Sequence, residues 1–219
     1  DEIHPRRTCP PAGNWPREKA MELETTQTLL ARLYTDTPFR EAFIDNPAEA
    51  AAEYELDEQE LTQLAELAAG PALRFSRALI RKRFGQVINH LPATRRTLRK
   101  QCWTAFYQFA GKHNPKGIGR HLDDAIAFGK FLGGEHAAQI DAPHWWPLIL
   151  GYEMPALKAL AAPYYFNLKI YRHDILKLYQ NSGDPASNYE GRPQLVLWAK
   201  LSPGGRVWHR HFFPRFWPK

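Results

Sequence analysis

Apolar residues recur every three or four positions through the first two thirds of the chain, which is the spacing of amphipathic helices. Leucines at this spacing predict a first helix at 22–34. Two short helices are predicted where a residue that favours the N-cap precedes proline, at Thr37-Pro38 and at Asn46-Pro47. The N-terminal part of the chain is therefore predicted to be a helical array.

Turn and capping signals divide the rest of this helical region. Asp57 and Glu60 have the spacing of a capping box, whereas Gly70-Pro71 and Pro92 are expected to end helices. The next predicted helices lie at 57–67, 72–91, 94–109 and 122–132. Their apolar stripes indicate that each helix buries one face in a core.

The pattern changes after residue 141. An aromatic-rich helix, a strand and a short helix are predicted in turn at 144–160, 165–171 and 174–179. Two short β-type runs, 195–198 and 207–209, then flank the turn residues 202–205, which read Ser-Pro-Gly-Gly. That arrangement is a strong signal for a β-hairpin.

These patterns predict a mainly α protein, in which an N-terminal helical array is followed by a small C-terminal α/β unit with a β-hairpin. The chain has 219 residues, of which 44% are hydrophobic and 13% aromatic, so it can bury a core and is not expected to be disordered over most of its length. Met21 opens the helical pattern and is a candidate for the natural start. A flexible tail, an all-helical domain and a small mixed α/β domain are predicted at 1–20, 21–141 and 142–219.

Cysteine content and the distribution of apolar residues indicate which cellular compartment to expect. The two cysteines, Cys9 and Cys102, cannot form a zinc site alone or a disulfide framework, so a reducing compartment is expected. The most apolar stretch, 144–166, is broken by three prolines and carries Glu153 and Lys158, unlike a membrane span. The N-terminal residues lack the apolar centre of a signal peptide. A cytoplasmic protein without a membrane segment is therefore predicted.

Charge is distributed unevenly along the chain, whose net charge is +6. Residues 22–66 include 12 acidic and 2 basic side chains, whereas 67–122 include 12 basic and no acidic ones. This asymmetry fits an acidic partner, a nucleic acid, or two segments that face each other. The candidate anion-binding patch consists of Arg74, Arg77, Arg81, Arg95, Arg96, Arg99 and Lys100.

Nucleic-acid binding by the basic helices at 72–109 is one alternative function. Their basic side chains would contact phosphates, and Trp103, Phe106 and Tyr107 would stack on bases if they were exposed. The i, i+3, i+4 spacing of these aromatic residues instead favours a core stripe. The neighbouring acidic segment also argues against this function, because it would repel phosphates.

Histidines offer a weak candidate for metal chemistry. His209 and His211 are two apart on a predicted strand, so their side chains should lie on one face. No nearby carboxylate or thiol completes a four-ligand site. Surface or packing roles are favoured for both residues, and neither a metal nor another cofactor is predicted.

Carboxylates give a similarly weak signal for catalysis. Asp123-Asp124 fit an acidic pair at the start of a helix, where the dipole stabilises negative charge. Glu153 lies among apolar residues and would have a raised pKa if buried, although a salt bridge to an arginine of the basic helices is favoured. An enzyme with a site around Glu153, His144 and His173 is a third hypothesis. Nucleophile elbows, phosphate-binding glycine loops and zinc signatures are absent from the sequence, and no catalytic residue is predicted.

The C-terminal third contains PHWWPLILGYEMPALKAL, LKIYRHDILKLYQN and, after a polar gap, QLVLWAKLSPGGRVWHRHFF. Over 143–213 this pattern resembles the partner subunits of multinuclear iron-dependent oxidative enzymes in ribosomal peptide natural-product pathways. That group includes the methanobactin partner subunits and a family once labelled putative DNA-binding. The N-terminal segment TPFREAFIDNPAEAAAEYELDEQEL departs from the group and is similar to short helical modules of leader peptides and small dioxygenase subunits.

The resemblance implies a non-catalytic adaptor subunit that binds an iron-dependent enzyme and helps present a precursor peptide to it. The basic face of the chain would favour an acidic peptide. An exposed hairpin edge would hold the peptide by main-chain hydrogen bonds. The aromatic anchors expected at the partner interface are Trp145, Trp146 and Tyr152. The residues expected to bind the peptide are Leu195, Val196, Leu197, Trp198, Val207, Trp208 and His209.

Overall fold

The chain forms two compact units, which comprise residues 1–77 and 78–219. A computed structural model describes residues 17–54, 56–113, 120–134, 136–184 and 192–213. Most of the predicted tail, Cys9 and parts of the loops predicted around 112–119 and 181–193 lie outside the described residues. The division at 77 differs from the predicted boundary near 141.

The first unit is helical, and its helices begin at caps that the sequence encodes. The Asp36 side chain caps α2 by accepting from the Phe39 N–H at 3.0 Å, so the cap lies one residue before the predicted Thr37. The caps predicted at Asn46 and Asp57 are confirmed, the second with both hydrogen bonds of a capping box. The helices are α1 (Arg17–Thr35), α2 (Thr37–Asp45), α3 (Pro47–Ala50) and α4 (Glu58–Leu67).

The core of this unit is a small apolar cluster. Leu29 and Leu33 of α1 are fully buried and pack with Phe39, Phe43 and Leu64. Gly70-Pro71 do not end the helical path as predicted, because a π-helical turn at Ala68–Ala72 leads directly into α5 (Leu73–Ile88).

The helices of the second unit pack around the aromatic-rich helix of the sequence. Arg99 has φ 50°, and this kink divides the helix predicted at 94–109 into two. Leu150 and Leu157 belong to the same buried cluster as Phe106 and Phe128, so the predicted boundary near 141 would cut through one core. The helices after α5 are α6 (Pro92–Leu98), α7 (Lys100–Lys112), α8 (Arg120–Gly133) and α9 (Trp146–Ala161).

A three-stranded antiparallel sheet completes the second unit and confirms the predicted hairpin and fold class. Its strands are β1 (Tyr165–Tyr171), β2 (Gln194–Lys200) and β3 (Trp208–Phe212), and the short helix α10 (Ile175–Gln180) lies between β1 and β2 in the chain. The strand order β1-β2-β3 makes β2 the central strand. Val196 and Trp198 on its inner side are buried in a second cluster that includes Ile149 and Tyr152 of α9. No helix among the described residues is long and apolar enough to cross a membrane.

A buried ion pair joins α5 and α8 within this unit. Arg83 donates two hydrogen bonds to Asp124, from Nε at 2.5 Å and from Nη2 at 2.6 Å. The Asp124 side chain is 1% exposed, whereas that of Arg83 is 19% exposed. The adjacent Asp123 is exposed, so the two members of the acidic pair differ in environment.

We expect Asp124→Asn to lower the free energy of unfolding by about 3 kcal/mol, because the substitution leaves the Arg83 guanidinium without its buried counter-charge. Asp123→Asn is the matched control and should change stability by less than about 0.5 kcal/mol. Urea unfolding followed by circular dichroism measures both variants. Equal stabilities of the two variants would contradict the importance of the buried pair.

Helices α8 and α9 approach closely at a glycine. A Cβ built on Gly129 would lie 2.2 Å from Sδ of Met154 and 3.6 Å from Cδ1 of Leu150, both buried on α9. Because Gly129 has no side chain, α8 and α9 can pack closely at this point.

Gly129→Ala is expected to destabilise the protein by roughly 1–3 kcal/mol, because the added methyl group overpacks this contact. Gly111→Ala on α7 is the control, since a Cβ there meets nothing within 4 Å. It should stabilise the protein by about 0.5–1 kcal/mol through higher helix propensity. Opposite shifts in thermal midpoint are the expected result, and a shift of the same sign in both variants would contradict the packing argument.

Candidate functional site

A cavity of about 630 Å³ lies within the second unit, between α9, the 89–92 turn, α10 and the inner side of β3. Its wall is mainly apolar and includes Ala156, Leu157, Leu160 and Leu176. Its polar end is formed by Tyr152, His209 and His211, which contact one another, and Glu153 also lines the cavity. Apolar pockets with a few convergent polar groups are typical ligand sites.

Tyr152 is the centre of the polar end. Its Oη lies 3.2 Å from Nε2 of His209 and 3.0 Å from Nε2 of His211. The register places His209 opposite Trp198 and His211 opposite Val196, so both imidazoles lie on the inner face of the sheet. The sequence prediction that these histidines share a face is confirmed.

A hydrogen-bonded chain behind His211 fixes its tautomer. Gln194 Nε2 donates to Oδ1 of Asp174 at 2.5 Å, and Gln194 Oε1 lies 3.1 Å from His211 Nδ1. The amide oxygen is an acceptor only, so His211 carries its proton on Nδ1. Its Nε2 then accepts a hydrogen bond from the Tyr152 hydroxyl. Tyr152 Oη then accepts from Nε2–H of His209.

Aromatic contacts and burial hold these groups in place and keep them neutral. The Trp198 ring stacks on His209, with centroids 5.3 Å apart and an interplanar angle of 19°. Desolvation by burial lowers the pKa of both His209 and His211, so the imidazoles are uncharged near neutral pH. Burial also raises the pKa of Tyr152, which is therefore a protonated phenol.

Glu153 of α9 also lines this cavity, and its carboxylate caps the start of α6. Its carboxylate accepts from Ala93 N–H at 2.7 Å, from Thr94 N–H at 3.0 Å and from Thr94 Oγ1 at 2.6 Å. Leu91 is the N-cap of α6 and cannot cap through its side chain, and Pro92 has no N–H to donate. The two carboxylate oxygens thus satisfy both remaining N–H groups of the first turn.

The hydrogen-bond partners of Glu153 differ from the salt bridge that the sequence favoured. The residue is buried, and desolvation raises its pKa against the opposing effect of the three hydrogen bonds. Its hydrogen-bond partners are the start of α6 and the Thr94 hydroxyl, whereas an arginine ion pair was expected. His144 and His173 do not appear among the described residues that line the cavity with Glu153.

Glu153→Gln should lower the free energy of unfolding by about 1–3 kcal/mol, because the amide group keeps one acceptor and directs its NH₂ at a buried donor. Lys158→Gln, at an exposed position of the same helix, should leave stability within about 0.5 kcal/mol of the wild-type value. Chemical unfolding at pH 7 measures both. Wild-type stability of the Glu153→Gln variant would show that the second carboxylate oxygen is dispensable.

The aromatic anchors predicted for a partner interface are part of the core. Trp145, Trp146 and Tyr152 are 2%, 5% and 6% exposed. Their large apolar surfaces are used to pack α9 against the helices and the sheet of its own unit. The structure thus buries these three side chains within their own unit, whereas an interface position was expected. Among the described residues, Phe166, Trp208 and Phe212 are exposed aromatic residues on the sheet.

The strand order also changes which of the predicted peptide-binding residues lie at an edge of the sheet. Leu195–Trp198 belong to β2, which pairs with β1 on one side and with β3 on the other. Central strands have no free main-chain edge. Among the described residues β3 has β2 as its only neighbour, so Trp208 and His209 retain the expected edge position and Val207 immediately precedes it. Peptide binding by this hairpin remains a prediction.

The residues of the predicted anion-binding patch are exposed in both units. Arg74 and Arg77 belong to the first unit, and the other five belong to the second. Arg96 donates to Oγ of Ser182 and to the Tyr179 carbonyl, and Arg99 donates to the Gly183 carbonyl at 2.8 Å. These two arginines therefore tie α6 and the residue after it to the segment that follows α10.

The aromatic residues of α7 lie in the core, as their spacing predicted. Phe106 is fully buried, and Trp103 and Tyr107 pack against the same cluster. Cys102 on this helix is also buried, which raises its pKa to about 12 and keeps the thiol protonated at neutral pH. Base stacking by this helix is thus not supported.

Sequence reasoning missed Gln194 and Asp174 altogether. They lie 20 residues apart in sequence and meet only because β2 returns beside the start of α10. Within the described ranges, no group of three histidine, cysteine or acidic side chains is arranged to hold a metal ion. Comparison of the chain with models of known protein families and with curated proteins gave no match.

Proposed function

We propose that this protein is a non-catalytic binding subunit whose second unit holds an extended acidic peptide along β3 for a modifying enzyme. The observation that carries this proposal is the position of β3 at the edge of the sheet, directly above the cavity. An extended peptide can join such an edge as an additional strand.

The cavity favours β3 over β1 as the receiving edge. Side chains of an added strand alternate between the two faces of the sheet. Beside β3, the inward side chains would lie next to His209 and His211 and above the cavity. Beside β1, they would meet α9, to which Lys169 and Tyr171 are joined through the Gly151 carbonyl at 3.4 Å and 3.0 Å.

The outer face and the charge near β3 fit the proposed ligand. Trp208 and Phe212 are 56% and 48% exposed and offer apolar contacts to the outward side chains of a peptide. Arg206 and Arg210 are exposed beside them and would attract acidic residues. The assignment of an iron-dependent enzyme as the partner depends on the sequence resemblance alone.

The test begins by selecting binders from a displayed library of short unstructured peptides against the full chain. A selected peptide is then synthesised with a single backbone N-methyl group at each position in turn. Strand addition predicts loss of binding at every second position, because alternate N–H groups face the protein. An uninterrupted block of sensitive positions, or the absence of any selected peptide, would contradict the proposal.

Two matched variants identify the edge. Phe166 and Trp208 are exposed aromatic residues in one row of the sheet, because both lie opposite Ala199, the first on β1 and the second on β3. Trp208→Ala should weaken peptide binding at least tenfold, whereas Phe166→Ala should leave it unchanged, as measured by fluorescence anisotropy. The reverse result would place the peptide on β1.

A further inference from the structure

We propose that Tyr152, His209 and His211 form a binding site for a divalent transition-metal ion of the zinc or copper type. The site lies at the polar end of the cavity and does not depend on peptide binding. The sequence favoured surface or packing roles for the two histidines, because no nearby carboxylate or thiol completes a four-ligand site.

The two donor–donor distances that involve Tyr152 are close to those of a tetrahedral complex. Zinc–nitrogen and zinc–oxygen bonds of about 2.0–2.1 Å place neighbouring ligand atoms roughly 3.3 Å apart. The Tyr152 oxygen lies 3.2 Å and 3.0 Å from the two Nε2 atoms. These two spacings fit an ion shared by the Tyr152 oxygen and both Nε2 atoms.

The surroundings of the histidines resemble the outer sphere of known metal sites. A ligating histidine usually donates its second ring N–H to a carboxylate or an amide oxygen, which fixes the tautomer and the orientation of the ring. His211 makes such a contact through Nδ1 to Gln194, which in turn donates to Asp174. The stacked Trp198 ring limits the rotation of His209.

The donor set determines which ions fit. Imidazole nitrogen with one phenol oxygen suits zinc and copper, whereas magnesium and calcium prefer sites made of oxygen donors. On binding, the metal–oxygen bond replaces the O–H bond of Tyr152, and the released proton passes to solvent. His211 already presents an unprotonated Nε2, whereas His209 shifts its proton from Nε2 to Nδ1 by exchange with solvent before it can bind through Nε2. The adjoining cavity leaves the fourth coordination position for a water molecule or a ligand carboxylate.

Metal binding can be measured directly on the full chain prepared without a histidine tag. Titration with Cu²⁺ should give one site per chain and a visible phenolate-to-copper charge-transfer band. Co²⁺ should give the intense visible absorption of a four-coordinate complex, which an equimolar amount of Zn²⁺ should abolish. Absence of both spectral signatures in the wild-type protein would overturn the proposal.

Variants assign the ligands. His209→Gln and His211→Gln should each weaken Co²⁺ binding at least tenfold, and Tyr152→Phe should remove the charge-transfer band while retaining weaker binding to the two imidazoles. His121→Gln, at an exposed position of α8, is the control and should bind like wild type. Equal affinity of His211→Gln and the control, or a charge-transfer band that survives in Tyr152→Phe, would refute the site.

Gln194→Leu provides a separate test of the outer sphere and does not remove a ligand. It should reduce Co²⁺ affinity by roughly 10- to 100-fold, the usual effect of losing such a hydrogen bond. Circular dichroism of each variant checks that the fold is retained. Unchanged affinity of a folded Gln194→Leu protein would contradict the proposed ligand geometry.

Discussion

The capping of α6 by Glu153 is the interaction on which the rest of the second unit depends. Helix α6 begins with leucine and proline, which leave two N–H groups without a local acceptor. A carboxylate from α9 supplies both acceptors, so the start of one helix is tied to the middle of another. The 89–92 turn, which precedes this helix start, lines the cavity, and Thr97 further along α6 donates to the Ser182 carbonyl.

The polar end of the cavity is built from sequence-distant residues that constrain one another. Asp174 also caps α10 through the Lys177 N–H, so the carboxylate that orients Gln194 is itself fixed by a helix start. Gln194 sets the tautomer of His211, which then sets the direction of the Tyr152 hydroxyl. A proton position at the cavity is thus determined by the backbone geometry of a short helix.

Local signals predicted most of the secondary structure, since caps, apolar periodicity and the Ser-Pro-Gly-Gly turn act within a few residues. The kink at Arg99 was not predictable, because no proline or glycine lies beside it, and like-charged i,i+4 pairs disfavour a helix only slightly. The same distinction between local signals and long-range packing explains which features of the site were predictable. The shared face of His209 and His211 follows from strand geometry, but their contact with Tyr152 depends on how α9 packs beneath the sheet. Tyr152 and the two tryptophans were expected at an interface because aromatic residues serve cores and interfaces equally well.

The outer face of the sheet has a consequence for the behaviour of the protein in the cell. Phe166, Leu168 and Ile170 on β1 and Trp208 and Phe212 on β3 are each about half exposed or more, and all five lie on this face, with Arg210 between the last two. A sheet with such a face and an open edge promotes self-association as its concentration rises. Overproduction of this chain on its own is therefore expected to favour inclusion bodies.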